Sequence, residues 1–198
     1  IILSHNAQKF DSKLRGMLHE INKKRMDKCA TYCWTCSEDA AKWFYEDRWL
    51  PKVVMMRNSI SGDRMAFDEE KRRNYRKKLH CDERTWVIGN VGRLHFQKNQ
   101  KFCLDIFQHF LKKYPNACLV LIGQGEDETD LKMLTARYGI SEKVYFAGKQ
   151  TDICGWLSEF DTFLFPSKFE GLPIAALAAQ ANGVPMLASA KVIPQEVK

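Results

Sequence analysis

The sequence has no apolar run approaching the roughly 20 residues needed to span a bilayer, so a transmembrane helix is not expected. It opens without an initiator Met, and no signal peptide is expected in the given stretch. It opens on IILS, which reads as a strand, and the chain is expected to be a segment of a longer protein. No G-x-G-x-x-G fingerprint follows a strand, which weakens a dinucleotide-binding or epimerase reading. No paired acids stand at a strand end, which weakens a receiver-like signalling domain. No D-x-D cluster lies in a ligand loop; EDETD at 126–130 reads as a helix start. Cys29, Cys33 and Cys36 have the spacing C-x3-C-x2-C without a second pair or an H-x3-H, so they support a zinc site only weakly. Their setting, CATYCWTC, alternates small and aromatic residues and reads as a buried strand with structural thiols. The basic clusters lack interleaved aromatics, which argues against nucleic acid.

What is present suits a packed domain. Of 198 residues, 45% are hydrophobic and 12% aromatic, enough for a sizeable core. Seven cysteines, an odd number in a chain too long to need disulfides, favour a reducing compartment. The net charge of +7 is concentrated at Lys23, Lys24, Arg25 and at Arg72, Arg73, Arg76, Lys77, Lys78. The plain reading is solvated helix faces; the alternative is an anionic partner, either a membrane surface or a phosphorylated ligand.

The pattern predicts strands at 1–5, 29–35 and 53–56 and helices at 12–28 and 37–46, the latter capped by Ser37. RNSISGDRMAF reads as a domain junction, giving a first domain over 1–57 and a second over 58–198. A charged helix follows at 68–80. From residue 85 apolar strands alternate with helices: TWVIGNVG, helix 99–114, ACLVLIGQG, helix 127–138, VYFAG, helix 151–159, DTFLFP, helix 172–182, VPMLAS. Strands apolar throughout imply an α/β, Rossmann-like, doubly wound parallel sheet with both faces covered. Such sheets bind ligands beyond the carboxyl ends of their strands.

After the first of these strands comes GRLHFQKNQ. Gly92 permits a tight turn, and Arg93 and Lys98 are two cations in one loop, suited to a diphosphate. After the second comes GQGE, where Gly123 and Gly125 mark either close approach to a ligand or a simple turn. After the third, Thr151 or Asp152 caps a helix. After the fourth comes FPSKFEGLPIAALAAQANGVP. Pro173 is expected in the first helical turn and Asn182-Gly183 at the left-handed end. The helix start offers free N–H groups and partial positive charge to an anion. Glu170 stands just outside it, able to accept hydrogen bonds from hydroxyl groups or, more plainly, to complement the dipole. A diphosphate joined to a hydroxyl-rich group describes a nucleotide sugar.

GRLHFQKNQ, LIGQGEDETDLK, VYFAGKQTDI and FPSKFEGLPIAALAAQANGVP, in that order, resemble the carboxyl-terminal domain of family-4 retaining glycosyltransferases of the GT-B fold, in the bacterial exopolysaccharide and capsular-polysaccharide branch. IILSHN, CATYCWTCSEDAAKWF and VVMMRNSI resemble the last part of the acceptor domain, so the resemblance covers nearly all of the chain. It implies that Arg93 and Lys98 hold the donor diphosphate. Glu170 matches the first acid of an E-x7-E motif and contacts donor-sugar hydroxyls. Gly92, Gly171, Leu172, Pro173 and Ile174 place backbone against sugar and phosphate, and Lys149 and Gln150 border the nucleobase. His5 matches a histidine at the acceptor-domain rim; its plain reading is a surface loop. One position departs: Ala178 stands where the second acid would read the ribose. Loss of such a charged hydrogen bond costs about 1.5–3 kcal/mol.

The function so implied is sugar transfer from a nucleoside diphosphate to an acceptor hydroxyl with retention, in cell-surface polysaccharide synthesis. No metal or other cofactor is expected, because fixed cations and a helix start can stabilise the departing diphosphate. The partners would be the nucleotide-sugar donor and a lipid-linked or saccharide acceptor. The setting would be cytoplasmic, with peripheral contact at the inner face of the membrane. This segment alone is expected to bind donor weakly and not to turn over. Ala178 also keeps open a non-catalytic sugar-nucleotide-binding relative.

Overall fold

Two parallel sheets organise the chain, and a computed structural model describes residues 1–4, 13–26, 29–190 and 192–194. The chain divides into two units. One comprises Ile1–Ser59, Phe169–Ile174 and Ala190–Lys198; the other comprises Ile60–Lys168 and Ala175–Ser189.

In the first unit, β1 (Ile2–Ser4), β2 (Cys33–Thr35) and β3 (Val53–Met55) form a sheet in that order, all parallel. Helix α1 spans Lys13–Lys24 and α2 Glu38–Phe44. The Ser37 hydroxyl accepts from Ala40 N at 3.2 Å, the expected cap, and Glu38 and Asp39 sit favourably in the first turn. Met26, Cys33, Ala41 and Tyr45 form the small core. The expected strand at 29–35 is shorter: only Cys33–Thr35 pairs, because Cys29 and Ala30 are held in a turn by bonds to Met26 O.

In the second unit, a short helix α3 (Gly62–Met65) interrupts the stretch expected to be irregular, and α4 (Glu69–Lys78) starts at Asp68, whose carboxylate accepts from Lys71 N. Then β4 (Trp86–Val91), α5 (Gln100–Leu111), β5 (Ala117–Ile122), α6 (Glu128–Arg137), β6 (Val144–Gly148), α7 (Ile153–Glu159), β7 (Thr162–Phe165), α8 (Ile174–Asn182) and β8 (Met186–Ala188) alternate as the apolar pattern predicts. The sheet order is β6-β5-β4-β7-β8, all parallel. This is a Rossmann-like sheet. Strand order runs one way from β4 to β6 and the other way from β7 to β8. The point of reversal, where ligands bind in such sheets, therefore lies at the carboxyl ends of β4 and β7. Leu104, Phe107, Leu119, Leu121 and Leu131 are buried at the centre of the core. Among the described residues no helix is long and apolar enough to cross a membrane.

The basic run at 72–78 is not a uniformly solvated face. Arg76 is 2% exposed; it donates to Glu159 O, Asp82 O and Thr85 O. Arg72 donates to Ser158 O, Glu159 O and the Asp161 carboxylate, the last at 2.7 Å. Asp161 also accepts from Val87 N, so these arginines fasten α4 to the amino ends of β4 and β7.

Candidate functional site

The site begins where β4 ends. Gly92 N donates to Ile122 O at 2.9 Å, Leu94 N to Gln124 O at 3.1 Å, and Gly123 N to Gly148 O at 2.9 Å. Backbone bonds thus continue past the strands and join the ends of β4, β5 and β6. A Cβ on Gly123 would lie 2.0 Å from Gly92 O, and one on Gly125 2.0 Å from Leu94 O. Gly123 also has φ +136°, a conformation that side chains disfavour. The close approach for which Gly123 and Gly125 exist is thus to the chain's own backbone.

The loop carrying Arg93 and Lys98 is anchored from below. Gln100 Nε2 donates to Arg93 O at 3.0 Å and to Asn90 Oδ1 at 3.2 Å, while Asn90 Nδ2 donates to Leu164 O at 2.8 Å. Both side chains are buried. Asn99, left-handed at φ 56°, donates through Nδ2 to Pro166 O at 3.2 Å, and Lys168 N donates to Gln97 O at 2.8 Å. These bonds fix the 93–99 loop to the carboxyl end of β7, at the reversal point. Lys98 lies along Gly92, whose added Cβ would meet its Cγ at 3.2 Å, and its Nζ stands 5.6 Å from the Phe165 ring centroid. Gly92 therefore gives the lysine stem its path.

Arg93 is 69% exposed, and its Nη2 lies 3.1 Å from Glu126 Oε2; His95 Nε2 lies 3.3 Å from Glu126 Oε1. The Glu126 carboxyl is held below the usual carboxylate range, first by its own backbone N–H and then by Arg93 and His95. The backbone under Arg93 is held by hydrogen bonds while its head is in water, opposite a half-exposed acid. An anion arriving here competes with Glu126 for the guanidinium. Lys149 is exposed beyond β6; Gln150 is half-buried and donates to Ala147 O.

Glu170, Gly171, Leu172, Pro173 and Ile174 lie in the first unit, whereas Ala178, Asn182 and Gly183 lie in the second. Gly171, Leu172 and Pro173 are buried and Glu170 partly so; Leu172 O accepts from Asn58 Nδ2 at 3.0 Å. Ile174 is exposed and opens α8, so Pro173 precedes the helix rather than falling in its first turn. A proline disfavours helical backbone in the residue before it, which keeps Leu172 out of the helix. Asn182-Gly183 ends α8 as expected, with Gly183 at φ 85°. Ala178 is 4% exposed. His5 lies outside the described residues.

Sequence reasoning passed over Glu126 as the partner of Arg93 and over Asn90 and Gln100 as supports. The signal for the last two was legible: each is a polar residue at a buried position of an apolar strand or helix face, and such groups need hydrogen-bonding partners.

A parallel sheet with reversed strand order and cations in the loops at its carboxyl edge defines a Rossmann-like α/β protein. The chain belongs to the family Glycosyl transferases group 1, which matches residues 71–197. It is 29% identical over 167 residues to the putative glycosyltransferase EpsF of Bacillus subtilis, covering 81% of this chain and 42% of that protein. It is 28% identical over 141 residues to an Escherichia coli UDP-Gal:alpha-D-GlcNAc-diphosphoundecaprenol alpha-1,3-galactosyltransferase, covering 70% of this chain and 36% of that protein. The fold matches the crystal structure of Anabaena Alr3699/HepE in complex with UDP-glucose with a TM-score of 0.80 at 18% identity, covering 94% of this chain and 52% of that one. The chain spans less than half the length of these two curated relatives.

Proposed function

We propose that the carboxyl edge of the second unit's sheet binds the nucleoside diphosphate of an activated sugar, and that the protein carrying this chain transfers the sugar to an acceptor hydroxyl with retention, in cell-surface polysaccharide synthesis. The observation that carries this reading is the 93–98 loop: two cations on a backbone immobilised at the sheet's reversal point by Asn90 and Gln100. Arg93, once exchanged from Glu126, and Lys98 form charge-assisted bonds to the diphosphate and stabilise the negative charge that grows on it as the sugar leaves. Lys149 and Gln150 border the base. Glu170 takes donor-sugar hydroxyls and the Gly171–Ile174 backbone faces sugar and phosphate; His5, outside the described residues, is assigned to the sugar by the resemblance alone. Fixed cations and the α8 start supply the electrostatics without a metal. Residues 1–57 form the end of the acceptor domain in this reading, 58–198 the donor domain, and this segment alone binds donor without turning it over. The full-length protein acts in the cytoplasm, where its acceptor, lipid-linked or saccharide, brings it to the inner face of the membrane. The UDP-glucose named for HepE and the diphosphoundecaprenol acceptor named for the E. coli relative support this reading.

Ala178 favours a second reading, a sugar-nucleotide-binding relative without catalysis, because the position that would reach the ribose carries a buried methyl group. Calorimetry with UDP and GDP tests the first reading. The expected result is binding in the millimolar range or somewhat tighter, about −4 to −5 kcal/mol, weakened by Arg93→Ala. No heat with either nucleotide at millimolar concentration contradicts it. Ala178→Glu separates the two readings in the full-length protein. Tighter donor binding with new activity over an inactive parent identifies a decayed enzyme; turnover by the parent removes the second reading.

A further inference from the structure

On the opposite edge of the second unit's sheet, two thiols meet. Cys81 follows α4 and Cys118 is the second residue of β5; their sulfur atoms are 3.4 Å apart. The approach is built by backbone. His80 takes a left-handed conformation at φ 54°, His80 N donates to Lys77 O at 3.1 Å, and Cys81 N donates to Arg76 O at 2.9 Å. This paired closure of a helix end turns the chain back and delivers Cys81 to the start of β5. Both residues are partly exposed, unlike Cys33, Cys36, Cys103 and Cys154, which are buried. The pair plays no part in the candidate donor site, which lies at the strands' other ends.

We infer that Cys81 and Cys118 form a reversible oxidation site, in which a hydroperoxide converts the two thiols into an intramolecular disulfide. The surroundings divide the roles. The thiol of Cys118 hydrogen-bonds Cys81 and lowers its pKa to about 7, against burial, with Arg76 and Lys143 assisting and Asp82 opposing. Cys118 is raised, first by that same interaction and then by burial, with Glu159 adding to the effect. This asymmetry favours Cys81 as the attacking thiolate and Cys118 as the thiol that resolves it. The Cys81 sulfur attacks the peroxide; an S–O bond forms, the O–O bond breaks, and the alkoxide or hydroxide leaving takes a proton from water. The Cys118 sulfur then attacks the sulfenic sulfur; the S–S bond forms and the S–O bond breaks. The departing hydroxide takes the Cys118 proton and leaves as water. Sulfur is oxidised by two electrons and the peroxide is reduced by two.

The test treats the protein with hydrogen peroxide at near-neutral pH and maps its disulfides by mass spectrometry without reduction. A crosslinked pair of peptides carrying residues 81 and 118, lighter by about two hydrogens and released by dithiothreitol, is the expected product. Cys118→Ser should leave Cys81 as a sulfenic acid trappable by a dione reagent, and Cys81→Ser should leave Cys118 unmodified under the same treatment. Oxidation that spares both residues, that gives a sulfinic acid at Cys81 without a crosslink in the parent protein, or that joins either residue only to Cys29 or to a second molecule overturns the inference.

Discussion

Glu159 is 0% exposed to solvent, and its charge state ties stability to pH. Neither carboxylate oxygen has a hydrogen-bonding partner. Burial, reinforced by Cys81, pushes its pKa up to about 8, against Arg76, Arg72 and Lys78. The folded state therefore holds the neutral acid while the unfolded chain ionises near the ordinary value of about 4.3. Stability from this group is fully present below that unfolded value and is lost as pH rises through about 8. Glu159→Gln removes the dependence. Urea unfolding of both proteins at pH 5 and pH 9 should show the variant gaining on the parent by on the order of 3 kcal/mol at the higher pH. Parallel pH profiles would mean that the arginines keep Glu159 ionised in the fold. Gly125 offers a second test. An added methyl group would press on the Leu94 carbonyl, and Gly125→Ala should cost about 3 kcal/mol or more, read as a drop in the urea midpoint.

The elements are held by capping residues that double as crosslinks. Asp152 accepts from Gly155 N at the start of α7, and also from Lys71 Nζ at 2.9 Å and Tyr75 Oη at 3.0 Å on α4. Burial works to raise its carboxyl; the bonds from Lys71, Gly155 and Tyr75 outweigh it and hold it low. Asp152→Ala removes a cap and a helix–helix tie together. Thermal unfolding should report a loss of about 1–3 kcal/mol, and Asp152→Asn should recover part of it through the cap. An Ala variant as stable as the parent would show that packing alone joins α4 to α7. The strands and helices from Trp86 onward were legible in the sequence because β4, β5 and β7 are apolar runs whose only polar side chains are Asn90 and Thr162, and each is followed by a turn signal. The Ser37 and Asp152 caps were legible for the same local reason. The structural use of Arg72 and Arg76 was not, because Asp161 and the carbonyl groups of Ser158 and Glu159, through which they reach β4 and β7, lie more than eighty residues away. Arg93 and Lys98 could be read as a cationic loop, yet Glu126, which faces Arg93, was hidden within a run of acids that local reasoning assigns to a helix start.

At the scale of the molecule, the account depends on which edge of the second unit's sheet is the working one. The carboxyl ends of β4 and β7 carry Gly92, Arg93 and Lys98 on an immobilised loop; the amino ends carry the Arg72–Arg76–Asp161 network and the cysteine pair. In the proposed function, the chemistry is that of sugar transfer and the place is the 93–98 loop. The most direct measurement is a titration of isotope-labelled protein with UDP, followed residue by residue through its amide resonances. The account predicts saturable shifts concentrated at 92–98, 123–126 and 148–150, reduced by Arg93→Ala, with the amides of 81–86 and 159–161 undisturbed. Shifts confined to the amino-terminal edge, or none at saturating nucleotide, would contradict it.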